Sequence, residues 1–162
     1  MYLAMKVYFL RHGDAGDPEK WQGDDAERPL SAEGRERTSL EARALAAMRL
    51  KLDVILTSPL LRARQTAVIV AEALKMRVGD DDRVIDLDSR KLKSILADHS
   101  DAGAVMLVGH EPSMSETISR AIGGGDIDLK KGGLACFEMR DPDSSRGRLL
   151  WLIPPKLLTE KF

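Results

Sequence analysis

Apolar residues recur along the chain in short runs, broken by glycine, proline and charge, and the runs alternate with stretches of helical period. The runs at 5–10 (MKVYFL), 52–57 (LDVILT) and 103–109 (GAVMLVG) have strand length and carry β-branched residues. They lack polar alternation, as parallel strands buried on both faces do. A weaker run at 82–87 (DRVIDL) predicts a fourth strand. The segments 133–140 and 147–154 flank DPDSSRG, a turn-rich link that predicts a closing antiparallel hairpin.

Helices fill the intervals. Ser31 is placed to cap a helix over 32–49 with Leu45 and Met48 facing inward. Ser58 and Pro59 read as N-cap and first residue of a helix running to about position 75, with Ile69, Val70, Ala73 and Leu74 on one face. A short helix over 90–97 presents Leu92, Ile95 and Leu96. The last, over 112–122, presents Met114, Ile118 and Ile122 and stops at GGG. Strands alternating with helices predict a three-layer α/β/α sandwich around a mostly parallel sheet of about six strands.

Such sheets bind ligands beyond the carboxyl ends of their strands. Arg11 and His12 follow the first strand, Thr57, Ser58 and Arg62 the second, and His110 the third. Two guanidiniums converging on that edge suit phosphate or carboxylate, whose oxygens their planar forks match. Arg62 also lies near a helix start, where free N–H groups favour an anion. Gly13 and Gly109 flank the histidines, as expected where backbone approaches a ligand closely. The imidazoles admit a phosphoryl-transfer reading, one as nucleophile and one as donor, because neutral imidazole attacks phosphorus near neutral pH. The competing metal reading suffers from the two arginines, which repel a cation, and from the lack of His-x-His or His-x₃-His spacing. The third histidine, His99, sits in a polar stretch and reads as a surface residue.

Composition narrows the field further. A chain of 162 residues reads as one domain over 1–162 with a substantial core. Its 25 basic and 26 acidic side chains nearly cancel, so no global field favours nucleic acid or a membrane surface, and any anion site depends on local placement. Cys136 is the single cysteine, which excludes an intramolecular disulfide, and its alternating surroundings predict a small buried side chain. The opening MYLAMKVYFL lacks the basic n-region of a signal peptide, and no run approaches membrane-spanning length. The expectation is a cytoplasmic, soluble protein.

Three motifs then carry a family likeness. RHG (11–13), SPLLRARQTA (58–67) and GHEP (109–112), in this order and each after an expected strand, resemble the signatures of the histidine phosphatase superfamily, also called phosphoglycerate mutase-like. The short chain, RHGDA, ERPLSAEGRERT (27–38), KKGGLACFE (130–138) and WLIPPKLL (151–158) are similar to its small phosphohistidine phosphatase branch, the SixA type. The resemblance implies that fold and assigns His12 as the nucleophile of a covalent phosphohistidine intermediate that water hydrolyses. It makes Arg11, Arg62 and His110 the holders of the phosphoryl oxygens, with Gly13 and Ser58 completing the phosphate site. His12 then needs one bare ring nitrogen, so its other nitrogen is expected to donate to a backbone carbonyl. No metal or organic cofactor is implied. The implied partner is a phosphohistidine-bearing protein such as a histidine phosphotransfer domain.

The sequence also departs from its wider family. The mutase branch follows RHG with other residues than DAGDP, which argues against a mutase. It also carries a long insertion with a proton-donating acid, and the interval from Arg62 to His110 is too short for one. Asp86 and Asp88 lie near a strand end without an acid motif and read as a solvated loop in which Ser89 caps the next helix. Asp14 either supports His12 or ends the strand in a turn. Two alternatives therefore stand beside a phosphohistidine phosphatase. One is a broad-specificity small-molecule phosphomonoesterase using Asp86 or Asp88 as acid. The other is a non-catalytic phospho-binding adaptor, against which the retained His12 speaks.

Overall fold

Strand β1 (Met5–Arg11) runs through the interior of a mixed sheet, and its alternate side chains enter opposite cores. Val7 and Phe9 join one core while Tyr8 and Leu10 join the other, so the strand is apolar on both sides. The structure, a computed structural model, describes residues 4–141 and 143–160. Met1–Leu3 of the leader reading and Pro142 of the expected turn lie outside the described residues.

Strands β2 (Val54–Thr57), β3 (Val78–Asp80), β4 (Ala104–Gly109), β5 (Leu134–Asp141) and β6 (Arg146–Ile153) complete a six-stranded sheet among the described residues, in the order β3-β2-β4-β1-β5-β6. The first four of that order pair in parallel. β5 runs antiparallel to β1, and β6 antiparallel to β5, as the hairpin reading expects. Helices α1 (Ala32–Ala47) and α2 (Leu61–Leu74) cover one face through Ala42, Leu45, Ala63, Ala67 and Val70. Helices α3 (Ser89–Asp98) and α4 (Ser113–Ile122) cover the other through Leu92, Ile95, Met114 and Ile118. A short α5 (Pro155–Thr159) ends the described chain. Thus β1 exits to one face and its neighbour β4 to the other, which opens a crevice between their carboxyl ends.

Four local expectations are corrected. The run 82–87 is not a strand: Asp82–Val84 form a 3-10 turn, and the edge strand is the three-residue β3 just before it. Asp81 explains the difference, since its carboxylate accepts the Arg83 N–H at 2.9 Å and the Arg83 guanidinium, which folds the chain back locally. Val84 and Leu87 are buried, but from a turn and a loop. Ser58 does not cap α2; Leu60 holds that position without a side-chain bond. Asp88, not Ser89, caps α3, accepting the Lys91 N–H at 2.8 Å. Met48 is exposed, because α1 ends one residue before it, whereas Leu45 is fully buried. Ser31 does cap α1, accepting the Gly34 N–H at 2.9 Å, and Gly123 ends α4 in the left-handed region. Cys136 is fully buried.

One charge on α1 lies under the loop that closes over β1. Glu41 is 4% exposed, and its carboxyl packs so closely on Gly132 (φ 78°) that a side chain there would strike it. Gly132 in turn donates its N–H to the carbonyls of Arg11 and His12, both at 3.1 Å. Burial pushes the Glu41 carboxyl up to about 8, against the weaker pull of Arg37. The folded state therefore holds a proton that the unfolded state releases near the ordinary carboxylate range. Stability from this group is complete below that range and is lost as pH rises towards 8, at up to about 1.4 kcal/mol per pH unit. Glu41→Gln should accordingly flatten the stability profile between pH 5 and 8 and raise the melting temperature most at the alkaline end. Denaturant titrations across that range check this, and parallel profiles for the two proteins would contradict it.

Candidate active site

The parallel pairing of β1 with β4 sets the site. Arg11 lies opposite Gly109, and the next residue, His12, donates its backbone N–H to the Gly109 carbonyl at 3.0 Å. His12 and His110 therefore leave adjacent strands at the same level, with ring centroids 5.2 Å apart. β2 contributes from the other side of β4. Ser58 donates its N–H to Val108 at 3.0 Å, and its hydroxyl meets His110 Nε2 at 2.7 Å. Its place in the first stretch after β2 leads into α2, whose first turn carries the buried Arg62.

His12 is 8% exposed, and its Nδ1 lies 2.7 Å from the Gly13 carbonyl oxygen. A carbonyl only accepts, so Nδ1 carries the hydrogen and Nε2 keeps a bare lone pair. Burial chiefly, helped by His110, Arg62 and Arg11, brings the His12 pKa down to about 3. Burial and then Arg62 bring His110 down to about 4, with Asp86 and Asp25 opposing. Both rings are neutral at physiological pH.

The guanidiniums are only partly committed. Arg11 donates to the Leu129 carbonyl at 3.0 Å. Arg62 donates to the Asp25 carbonyl at 2.8 Å and to its carboxylate at 3.1 Å. Arg11 Nε, Arg62 Nε and His110 Nδ1 are buried with no hydrogen-bond partner among the described residues. Buried nitrogens without partners are rare in folded proteins, and here three belong to the residues surrounding one bare imidazole nitrogen. Such a cluster can hold an oxyanion against a nucleophile.

Sequence reasoning missed Asp25. Its other carboxylate oxygen accepts from Arg28 Nε at 2.9 Å, while the nearly buried Arg28 also donates to the Ala15 carbonyl at 2.8 Å. One carboxylate thus bridges two guanidiniums and pins the segment after β1 beside Arg62. The sole hint in the chain was a second arginine, at 28, in a polar stretch without period.

The remaining candidates fall elsewhere. Gly13 adjoins His12, but its N–H goes to Thr66 Oγ1 at 3.1 Å, and a side chain on it would strike Thr38 on α1. Gly109 is similarly confined by Val84 and Met114. Both glycines answer packing demands from the protein itself. Asp14 does not touch His12; it accepts from Ser31 Oγ at 2.7 Å and Lys131 Nζ at 3.0 Å, which hold its carboxyl down at about 2. Asp88 is used in its cap. Asp86 is exposed, in a left-handed conformation (φ 47°), and stands near enough to act on His110. His99 ends α3, half-buried and outside this cluster.

Comparison with known proteins adds an independent line. The family model for the histidine phosphatase superfamily (branch 1) matches residues 7–95. An uncharacterized protein of Picosynechococcus sp. is 39% identical over 140 residues, covering 80% of this chain and 82% of that one. The phosphohistidine phosphatase SixA of Escherichia coli is 35% identical over 72 residues, 44% of this chain and 43% of its own. A solved structure of the protein histidine phosphatase SixA complexed with tungstate superposes with a TM-score of 0.82 at 24% identity, covering 95% of this chain and 99% of that one. That likeness establishes the phosphoglycerate mutase-like fold. Among the described residues, no helix is long and apolar enough to cross a membrane.

The neutral imidazoles give the fold a pH signature. Their folded pKa values, about 3 and about 4, lie below the ordinary histidine value near 6.5, so unfolding takes up protons between. Their contribution is complete above pH 6.5 and is lost as pH falls through 4 and 3. His12→Ala with His110→Ala should make stability less steep between pH 6.5 and 4, measured by denaturant titration. An unchanged slope would show that the rings are not held neutral.

Proposed function

The chain belongs to the histidine phosphatase superfamily, and on that premise we propose that it hydrolyses protein phosphohistidine through a covalent intermediate on His12. The observation that carries this reading is the bare Nε2 of His12, set among Arg11, Arg62 and His110, each of which keeps one buried nitrogen without a partner among the described residues. Arg11, Arg62 and His110 hold the phosphoryl oxygens, with Ser58 steadying His110. Gly13 supplies the carbonyl that fixes the His12 tautomer. His12 Nε2 forms a bond to phosphorus as the substrate nitrogen–phosphorus bond breaks, and the departing imidazole keeps its electron pair and takes a proton. Water then attacks the phosphoenzyme, releasing phosphate and returning the lone pair to Nε2. The two guanidiniums stabilise the equatorial charge in both steps.

The choice of a phosphoramidate over a phosphoester rests on the leaving group. Imidazole departs with a conjugate-acid pKa of roughly 6.5, so solvent protonation assists it, whereas an alkoxide needs a dedicated acid. Asp14, Asp25 and Asp88 are each engaged in structural hydrogen bonds, which leaves no committed proton donor among them. The names of the SixA relatives support a protein partner such as a histidine phosphotransfer domain. A second reading, a small-molecule phosphomonoesterase, draws on Asp86, which acts on His110 and whose carboxylate makes no hydrogen bond among the described residues.

Rapid quenching with labelled phosphohistidine protein should trap acid-labile, alkali-stable phosphate on the wild type and none on His12→Ala. Arg11→Ala and Arg62→Ala should each lower turnover by about 10²–10³, the scale for removing one transition-state donor. Label persisting without His12 would exclude the intermediate. Substrate ranking separates the two readings. Phosphohistidine should be cleaved faster than phosphoserine by at least about 10²–10⁴, the value of general-acid help, with Asp86→Asn nearly silent. Equal rates on both, or an inactive Asp86→Asn, would favour the phosphoesterase.

A further inference from the structure

At the amino ends of the strands, the edge of the sheet opposite His12, lies a groove of about 580 Å³ lined by Lys6, Tyr8, Arg49, Lys51, Asp53 and Trp151. That volume lies within the roughly 300–1,000 Å³ typical of small-ligand sites. Lys6, Arg49 and Lys51 are exposed, and among the described residues none of them forms an ion pair. The one carboxylate present, Asp53, already accepts the N–H groups of Gly103 at 2.8 Å and Ala104 at 3.0 Å. The groove therefore carries three cations without an ion pair among the described residues, and one carboxylate whose Oδ2 is held by backbone N–H groups.

Its wall is aromatic. Trp151, on β6, is partly exposed and packs edge-on against Tyr8, with centroids 5.9 Å apart and planes at 60°. Arg49 leaves α1 in a left-handed conformation (φ 53°), which turns the chain towards Lys51 and the sheet. Basic residues after a helix C-terminus complement the helix dipole, which accounts for Arg49 and Lys51. It accounts neither for Lys6, which comes from β1, nor for a partly exposed indole in the same groove. Aromatic surface beside unpaired cations is the combination that takes a stacked base and its phosphates.

We propose that this groove binds a nucleoside phosphate, its base against the Trp151 indole and its phosphates on Lys6, Arg49 and Lys51. The site is separate from the catalytic edge and does not depend on the reaction proposed there. It is nevertheless joined to that edge by one rigid element, since β1 begins beside Lys6 and ends at Arg11.

Trp21 and Trp151 are the only tryptophans, so Trp21→Phe leaves Trp151 as the sole reporter. Titration of that protein with ADP should give saturable quenching that weakens as salt is raised. Adenosine alone and pyrophosphate alone should each bind at least about tenfold more weakly than ADP. Arg49→Glu with Lys51→Glu, in the same background, should weaken ADP by at least about tenfold while circular dichroism stays unchanged. Lys6→Glu, on a different element, should weaken ADP as well and stands in if the double variant fails to fold. Absence of saturable quenching up to roughly 10 mM ADP would overturn the proposal. So would undiminished binding in the charge-reversed variants, or pyrophosphate binding as tightly as ADP, which would mark a mere anion patch.

Discussion

The parallel pairing of β1 with β4 is the constraint on which the rest of the site depends. With Arg11 opposite Gly109, and His12 bonded through its backbone to Gly109, the two imidazoles are neighbours before any side chain interacts. The same pairing fixes which residues are buried. A slip of one residue would exchange Val7 and Phe9 with Tyr8 and Leu10 between the two cores, so packing holds the register as firmly as hydrogen bonding does. β4 stands between β1 and β2, and Ser58 bonds to Val108 just as His12 bonds to Gly109. Three strand ends are thereby locked at one level by backbone bonds in the floor of the crevice.

Given that floor, burial does the electrostatic tuning. Placing two imidazoles under protein removes the water that would stabilise their charged forms, and the neighbouring guanidiniums push in the same direction. The arginines would be costly there without counter-groups. Asp25 and the Leu129 carbonyl supply them, but each engages only part of a guanidinium. The result is positive charge steady enough to stay folded and with donors to spare. Arg28 extends the arrangement outward: by sharing Asp25 and reaching Ala15, it makes the segment after β1 a wall of the site.

Much of this was legible in the sequence wherever a local signal and the tertiary structure agree. β1 and β4 read clearly because both their faces are buried, and α4 because Gly123 can take a left-handed turn. The failures share a cause. Ser58 looks like a cap, but its hydroxyl is drawn to His110, a residue remote in sequence. The run 82–87 looks like a strand until Asp81 bends it, and Ser89 looks like a cap until Asp88, one residue earlier, takes the bond. Gly13 looks like a ligand-facing glycine, yet the pressure on it comes from Thr38. Asp25 carried no periodic or motif signal, because its role exists only once the segment after β1 has folded against α2.

The carboxylates around the crevice link this architecture to its chemistry. Asp14 and Asp25 have their carboxyls held below the ordinary range, by Ser31 and Arg28 respectively as the largest influence. A carboxylate stabilised in that way is ionised at neutral pH and has no proton to give. The hydrogen bonds that hold the segment after β1 thus remove Asp14 and Asp25 from proton transfer, which leaves Asp86 as the carboxylate acting on His110 without such a bond among the described residues. What is left is a crevice rich in hydrogen-bond donors, with Asp86 as its one carboxylate not engaged in this way among the described residues. On the reading proposed above, a departing nitrogen that bulk solvent can protonate needs the donors and not the acid. On that reading, a preference for such a leaving group follows from how the loops of the crevice are held together, rather than from a dedicated recognition pocket.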